Sequence, residues 1–177
     1  VFVDKVLSLS LDRTRELVSL AADQNVRIAA WSQTLFSTEA GSFRDLEGGA
    51  GLVTFSLSRD NVPGYGIHLV CSAFAAFGDD PVRLSRIESA GDGLPMVLAT
   101  YADGKDVLLR AGQDIPPRGN VAHFGKGTGS LVAELSDVGA MFDASAEALA
   151  AMFEEGRPPV APEAIVRMTE AAALLCP

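Results

Sequence analysis

Cysteine is scarce: Cys71 and Cys176 are the only two. Two thiols cannot build the disulfide framework of a small secreted domain, and they fit a reduced, cytoplasmic protein. Basic residues are outnumbered, 14 against 23 acidic ones, for a net charge of −9. That balance argues against a general electrostatic grip on nucleic acid or on an anionic membrane. No apolar run reaches the ~18 residues of a membrane-spanning helix, and no signal-peptide pattern is present. Neither cysteine has a partner at metal-ligand spacing, no Ser-His-Asp signature is visible, and no metal site is expected. Internal repeats, low-complexity tracts and a heptad seam are also missing, and the 17 glycines follow no period, which excludes collagen.

What is present reads as a globular chain with a real core: 177 residues, 48% hydrophobic and 21% charged. That length suits one domain, or one and a fraction. The chain opens without methionine, directly in the apolar run Val1-Phe2-Val3. Such strands are normally buried between neighbours, so a preceding segment is expected.

After that strand, Ser10 can cap a helix to about Gln24, with Leu11, Leu17, Val18 and Ala21 on one face and Asn25 as a left-handed stop. Residues 26–31 read as a second short buried strand, so the opening resembles the closing part of an α/β domain. Ser37 or Thr38 could cap a short helix through Phe43 and Leu46, ended by Gly48 and Gly49. From there the pattern becomes β-rich. Residues 52–58 alternate, with Val53, Phe55 and Leu57 opposite Thr54, Ser56 and Ser58, as in a half-buried antiparallel strand. A loop at 59–66 leads to a helix over about 67–77, stopped by Gly78.

Further strands are expected at 82–88, 96–101, 106–110, 121–124 and 131–135. Asp103-Gly104 marks one hairpin, Pro116-Pro117 a loop, and Gly125-Lys126-Gly127-Thr128-Gly129 another turn. Two helices close the chain. In the first, Phe142, Ser145, Leu149 and Met152 share a face; in the second, Pro162 opens a helix carrying Ile165, Met168, Ala172 and Leu175. The fold class is α+β: an open, predominantly antiparallel sheet of about five or six strands with helices on one face, preceded by a strand-helix-strand at 1–31. Such a sheet needs its second face covered or accepts exposure; Thr54, Ser56 and Ser58 would tolerate water, whereas Val97, Ala99 and Tyr101 would not, which is one physical ground for expecting a homodimer through the sheet.

Few residues could do chemistry. The chain has two histidines, His68 and His123. His68 follows Pro63-Gly64-Tyr65-Gly66, a stretch able to bring backbone close to a ligand. His123 is mid-strand with no local partner. Lys5 stands at the end of the first strand, where α/β proteins place ligands. The glycines at 125, 127 and 129 join two strands, so they lack the helix N-terminus that binds a pyrophosphate. Trp31, Gln33, Arg59, Asn61 and Tyr65 fall at loops or strand ends near the proposed site.

Taken in order, these segments resemble the Gfo/Idh/MocA family of oxidoreductases. Asp4-Lys5, followed by Val6 and the Ser10-capped helix, resembles the Glu/Asp-Lys-Pro strand end of that family. Tyr65-Gly66-Ile67-His68 resembles its histidine-bearing helix, Gly127-Thr128-Gly129 its late sheet turn, and Gly156-Arg157-Pro158-Pro159 with the last helix its C-terminus. The resemblance implies that 1–31 is the remnant of a Rossmann domain and 32–177 a substrate-binding and oligomerisation domain. It implies NAD or NADP, held mainly by a domain absent from this chain, with Lys5 beside the cofactor. It implies a sugar, cyclitol or similar polyol as substrate, Lys5 and His68 as catalytic residues, and Tyr65, Arg59, Asn61, Trp31 and Gln33 as substrate contacts.

The chemistry suits those residue types: an imidazole can take a hydroxyl proton, and an ammonium can steady charge on the same oxygen. Two positions depart from the family pattern. Val6 replaces the proline that would stiffen the turn, and Gly64 replaces the aspartate four residues before the histidine. A non-catalytic binding or dimerisation module derived from the family is therefore the alternative.

Overall fold

The computed structural model describes residues 1–46, 48–89, 93–112, 118–125 and 129–177. Strand β1 (Phe2–Asp4) leads to α1 (Leu11–Asp23), which the Ser10 hydroxyl starts by accepting the Arg13 amide hydrogen. Asn25, at φ 52°, turns the chain out of the helix. The fully buried β2 (Ala29–Trp31) then pairs parallel to β1, with Phe2 opposite Ala29 and Asp4 opposite Trp31. The inward face of α1 holds Leu11, Val18 and Ala21 as expected, but Thr14 is buried there and Leu17 is 40% exposed. The reason is tertiary, because the Thr14 hydroxyl meets Thr169 Oγ1 at 3.3 Å across a helix contact that hides both polar groups.

Ser32 and Ser37 each cap a short turn. The first is a 3-10 helix, Gln33–Phe36, and the second is α2 (Thr38–Gly41), which stops well before Phe43. Gly48 and Gly49 lead into β3 (Ala50–Ser56).

A 3-10 turn, Arg59–Asn61, then runs directly into α3 (Val62–Phe77). The expected loop at 59–66 is therefore corrected: Pro63, Gly64, Tyr65 and Gly66 form the first turns of the helix, which begins five residues early. Proline is tolerated in a first turn, where its missing N–H has no helical partner to lose. Every residue from Gly66 to Phe77 is buried. A helix apolar all round in this way is the central post of a domain.

Strands β4 (Arg83–Ile87), β5 (Met96–Thr100), β6 (Asp106–Gly112), β7 (Asn120–Gly125) and β8 (Gly129–Glu134) complete a six-stranded sheet in the order β4-β5-β6-β3-β7-β8. All its neighbours run antiparallel except β3 and β6, which pair parallel with Leu52 opposite Leu108. The strand expected to be purely antiparallel is thus central, with one partner of each kind. Gly104 makes the β5–β6 hairpin at φ 83°. The Pro116-Pro117 loop and most of the glycine turn at 125–129 lie outside the described residues.

α4 (Val138–Glu155) ends at the left-handed Gly156, and α5 (Pro162–Leu175) buries Ile165, Met168, Ala172 and Leu175. On α4 the expected face holds at Ser145, Leu149 and Met152, but Phe142 is 56% exposed and Met141 is buried in its place. The Trp31 indole N–H donates to Ser145 Oγ at 2.8 Å and fixes which side of α4 looks inward.

Helices α3 and α5 cover one sheet face. Val97, Ala99 and Tyr101 lie under them rather than on the open side. The open side instead carries a row that crosses the strands in register: Val132, Ala122, Leu52, Leu108 and Leu98. Among the described residues no helix is long and apolar enough to cross a membrane.

Candidate functional site

A cavity of about 590 Å³ opens where five segments converge: the 3-10 turn after β2, the end of β3, the start of α3, the residues just before β7, and the chain from β8 into α4. Gln33, Phe55, Tyr65, His68, Arg118 and Ser136 are among its lining residues. Gly119 is needed at its wall, since a side chain there would drive into the Phe55 ring and Leu135.

His68 sits in the second turn of α3, 8% exposed. Its ring lies between Phe55, at 6.1 Å and 20°, and Tyr65, at 5.5 Å and 36°. Its Nδ1 is 2.5 Å from Ser32 Oγ. Its backbone carbonyl accepts two hydroxyl protons, from Thr34 Oγ1 at 2.9 Å and Ser72 Oγ at 2.7 Å. Burial pushes the imidazole pKa down from its ordinary value of 6.5, the Lys5 charge adds to the effect, and Asp4 opposes it. The ring is consequently neutral near pH 7 and able to accept a proton.

Lys5 follows β1 in a left-handed conformation, φ 70°, with its N–H donated to the Trp31 carbonyl at 3.0 Å. The turn that the missing proline would have stiffened is thus made by the lysine's own backbone. Its ammonium lies 4.4 Å from the centroid of the Tyr65 ring, a cation–π contact. Lys5, Tyr65 and His68 form one row, although they are far apart in sequence.

The remaining expected contacts separate into two groups. Gln33 lines the cavity, and its Oε1 accepts from Ser32 Oγ at 3.3 Å. Trp31 does not line it: at 1% exposure, between Phe2 and Phe36, it is a core residue. Arg59 belongs to another recess, with Leu52, Leu108 and Arg110 on the open sheet face, and Asn61 is exposed ahead of α3. Gly64 faces open space, so no carboxylate approaches His68 from that position. His123 packs between Phe43 and Phe77, at 6.4 and 6.3 Å, and is not part of the cavity.

Sequence reasoning missed Ser32, Thr34 and Arg118. Ser32 is recognisable as a cap after a buried strand, but its contact with a ring 36 residues away is not a local property. Arg118 pairs with Glu134 at 2.5 Å on the rim of the site.

Among the described residues no group of three or more His, Cys, Asp or Glu side chains could hold a metal ion. The helix after β1 does not fit the diphosphate of a nicotinamide dinucleotide. The diphosphate needs free amides at a helix N-terminus and glycines that admit close approach. The helix after β1 offers neither: residues 5–10 contain no glycine, Ser10 takes the Arg13 amide, and Asp12 puts negative charge in the first turn.

No family model matches the sequence, and no curated protein matches it. Solved structures do match in fold. The dehydrogenase MviM from Clostridium difficile superposes with a TM-score of 0.74 at 12% identity, covering 97% of this chain and 68% of its own. GenD2 from gentamicin A biosynthesis, solved with NAD, gives 0.69 at 15% identity, with 97% and 66% covered. The WlbA dehydrogenase from Thermus thermophilus, solved with NAD and UDP-GlcNAcA, gives 0.69 at 14% identity, with 98% and 63% covered. These three structures thus share the fold of nearly the whole chain, which spans about two thirds of their length.

Proposed function

We propose that this chain is the substrate-binding and oligomerisation portion (32–177), with the closing part of a dinucleotide-binding domain (1–31), of an NAD(P)-dependent oxidoreductase acting on a sugar, cyclitol or similar polyol. The observation that carries the reading is the His68 imidazole, its Nδ1 held by Ser32 Oγ, at the wall of a cavity where Gln33, Thr34, Ser56 and Ser136 stand beside apolar residues, with the Lys5 ammonium against the Tyr65 ring. The fold shared with GenD2 and the WlbA dehydrogenase, both solved with NAD, supports it.

In this reading His68 Nε2 takes the proton of the substrate hydroxyl, and its lowered pKa keeps it free to do so at neutral pH. Lys5 stabilises negative charge growing on the same oxygen, and the Tyr65 face holds the ammonium in place. Gln33 supplies further hydrogen bonds to a polyhydroxylated ligand. Nicotinamide, held by a part of the protein outside this chain, would accept the hydride. A second copy of the chain covers the open sheet face, over the row Leu52, Leu98, Leu108, Ala122 and Val132, and the two free thiols suit a reducing cytoplasm.

The test is the full product of the gene containing this chain, assayed for polyol- or sugar-dependent reduction of NAD⁺ or NADP⁺ by absorbance of the reduced nucleotide. His68→Ala is expected to lose at least ~10²-fold in turnover while sedimenting as the wild-type dimer. Turnover untouched by His68→Ala refutes the assignment. No nucleotide reduction with any polyol or sugar leaves the non-catalytic module in its place.

A further inference from the structure

We infer that Ser32 and Thr34 are positioning residues that hold the His68 proton on Nδ1 and keep the Nε2 lone pair for the cavity, the catalytic meaning of which rests on the function proposed above. The argument is a count of protons around one buried oxygen. Ser32 Oγ has four polar neighbours: the Thr34 backbone N–H at 3.3 Å, Thr34 Oγ1 at 3.1 Å, Gln33 Oε1 at 3.3 Å and His68 Nδ1 at 2.5 Å. The first can only donate. The Thr34 hydroxyl proton is already committed, because its other partner is the His68 carbonyl, which can only accept. Gln33 Oε1 also only accepts.

Ser32 has a single proton. If it went to His68 Nδ1, the oxygen pairs Ser32–Thr34 and Ser32–Gln33 would both face each other with no hydrogen between them. If Nδ1–H donates instead, Ser32 passes its proton to Thr34 or Gln33. The strongest contacts then close a loop: His68 Nδ1–H to Ser32, Ser32 to Thr34, Thr34 to the His68 carbonyl. Ser32 is fully buried and Thr34 6% exposed, so water is poorly placed to supply a missing partner. The protonation of one imidazole nitrogen is set by the bond the other makes, so the loop leaves Nε2 as an acceptor. Two hydroxyls from the turn after β2 thereby orient the ring.

The experiment is nitrogen-15 NMR of the imidazoles in the uniformly labelled 177-residue chain. There are only two histidines, so loss of one set in His68→Asn assigns the other. Above the titration of His68, its Nδ1 is expected to show the protonated, pyrrole-type shift and Nε2 the unprotonated, pyridine-type shift. The reverse pattern in the wild type overturns the inference, and that measurement needs no variant to fold. Ser32→Ala should convert the ring to the Nε2–H form that free histidine side chains prefer, whereas Thr34→Ser should keep Nδ1–H. Retention of Nδ1–H in a folded Ser32→Ala also overturns it. In an active full-length enzyme, Ser32→Ala should cost about 10²-fold in kcat with little change in KM. An inactive full-length protein beside the expected wild-type spectrum defeats the functional reading and leaves the tautomer assignment standing.

Discussion

Placing a single methyl group on Gly51 tests the seating of the helix that carries His68. Gly51 lies on β3 facing α3, and a Cβ there would stand 2.5 Å from Phe77 Cζ and 3.0 Å from both Cε atoms. Carbon atoms prefer about 3.5–4.0 Å, so the ring would have to withdraw by roughly 1 Å. It has little room to do so: Phe77 is 5% exposed, with the Phe43 ring at 6.2 Å and the His123 ring at 6.3 Å. Overpacking of this kind costs about 1–3 kcal/mol. Removing a glycine from a strand interior recovers roughly 0.5–1 kcal/mol. Gly51→Ala should therefore destabilise by about 1 kcal/mol, read as a lower urea midpoint at unchanged slope.

The stronger reading comes from a double-mutant cycle with Phe77→Leu, which removes the atoms that the methyl meets. In that background Gly51→Ala should be neutral or stabilising, a coupling of at least ~1 kcal/mol. Effects that add within about 0.3–0.5 kcal/mol would show that Phe77 does not lie over Gly51, and the docking of α3 on the sheet would have to be redrawn.

Two further expectations concern the surroundings of the site. Because the folded-state pKa of His68 lies below 6.5, the unfolded chain binds the extra proton first as pH falls. His68 therefore supports stability above the unfolded value, and that support is lost as pH drops from about 6.5 through the lowered folded value. His68→Gln should flatten the denaturation midpoint between about pH 7.5 and about pH 5, and an unchanged slope of stability against pH would contradict the cause assigned to the shift. Ser145→Ala leaves the buried Trp31 N–H without its acceptor. It should cost about 1–3 kcal/mol in chemical denaturation, and an unaltered midpoint would mean that α4 is not fastened through that bond.

The amino-acid sequence by itself determined most of the secondary structure. Ser10, Asn25, Gly78, Gly104, Gly156 and Pro162 act locally, through a cap, a positive φ or a fixed φ, and need no distant partner. It also singled out Lys5, Tyr65 and His68, because the order of strand, helix and histidine resembled a known arrangement. Decisions between distant segments were made by tertiary structure alone. Thr14 could be buried only because Thr169 faces it, and Ser145 is turned inward because the Trp31 indole meets it. Pro63-Gly64-Tyr65-Gly66 became helix because the buried post of α3 continues through it, overriding the propensity of two glycines. Arg59 and Gln33, alike as polar residues at element ends, were sent to different faces of the sheet. Above all, the bond from Ser32 to His68 joins residues whose separation in sequence carries no periodic signal. A hydrogen bond of that kind exists only once β2 and α3 have packed, so no local rule could reveal it.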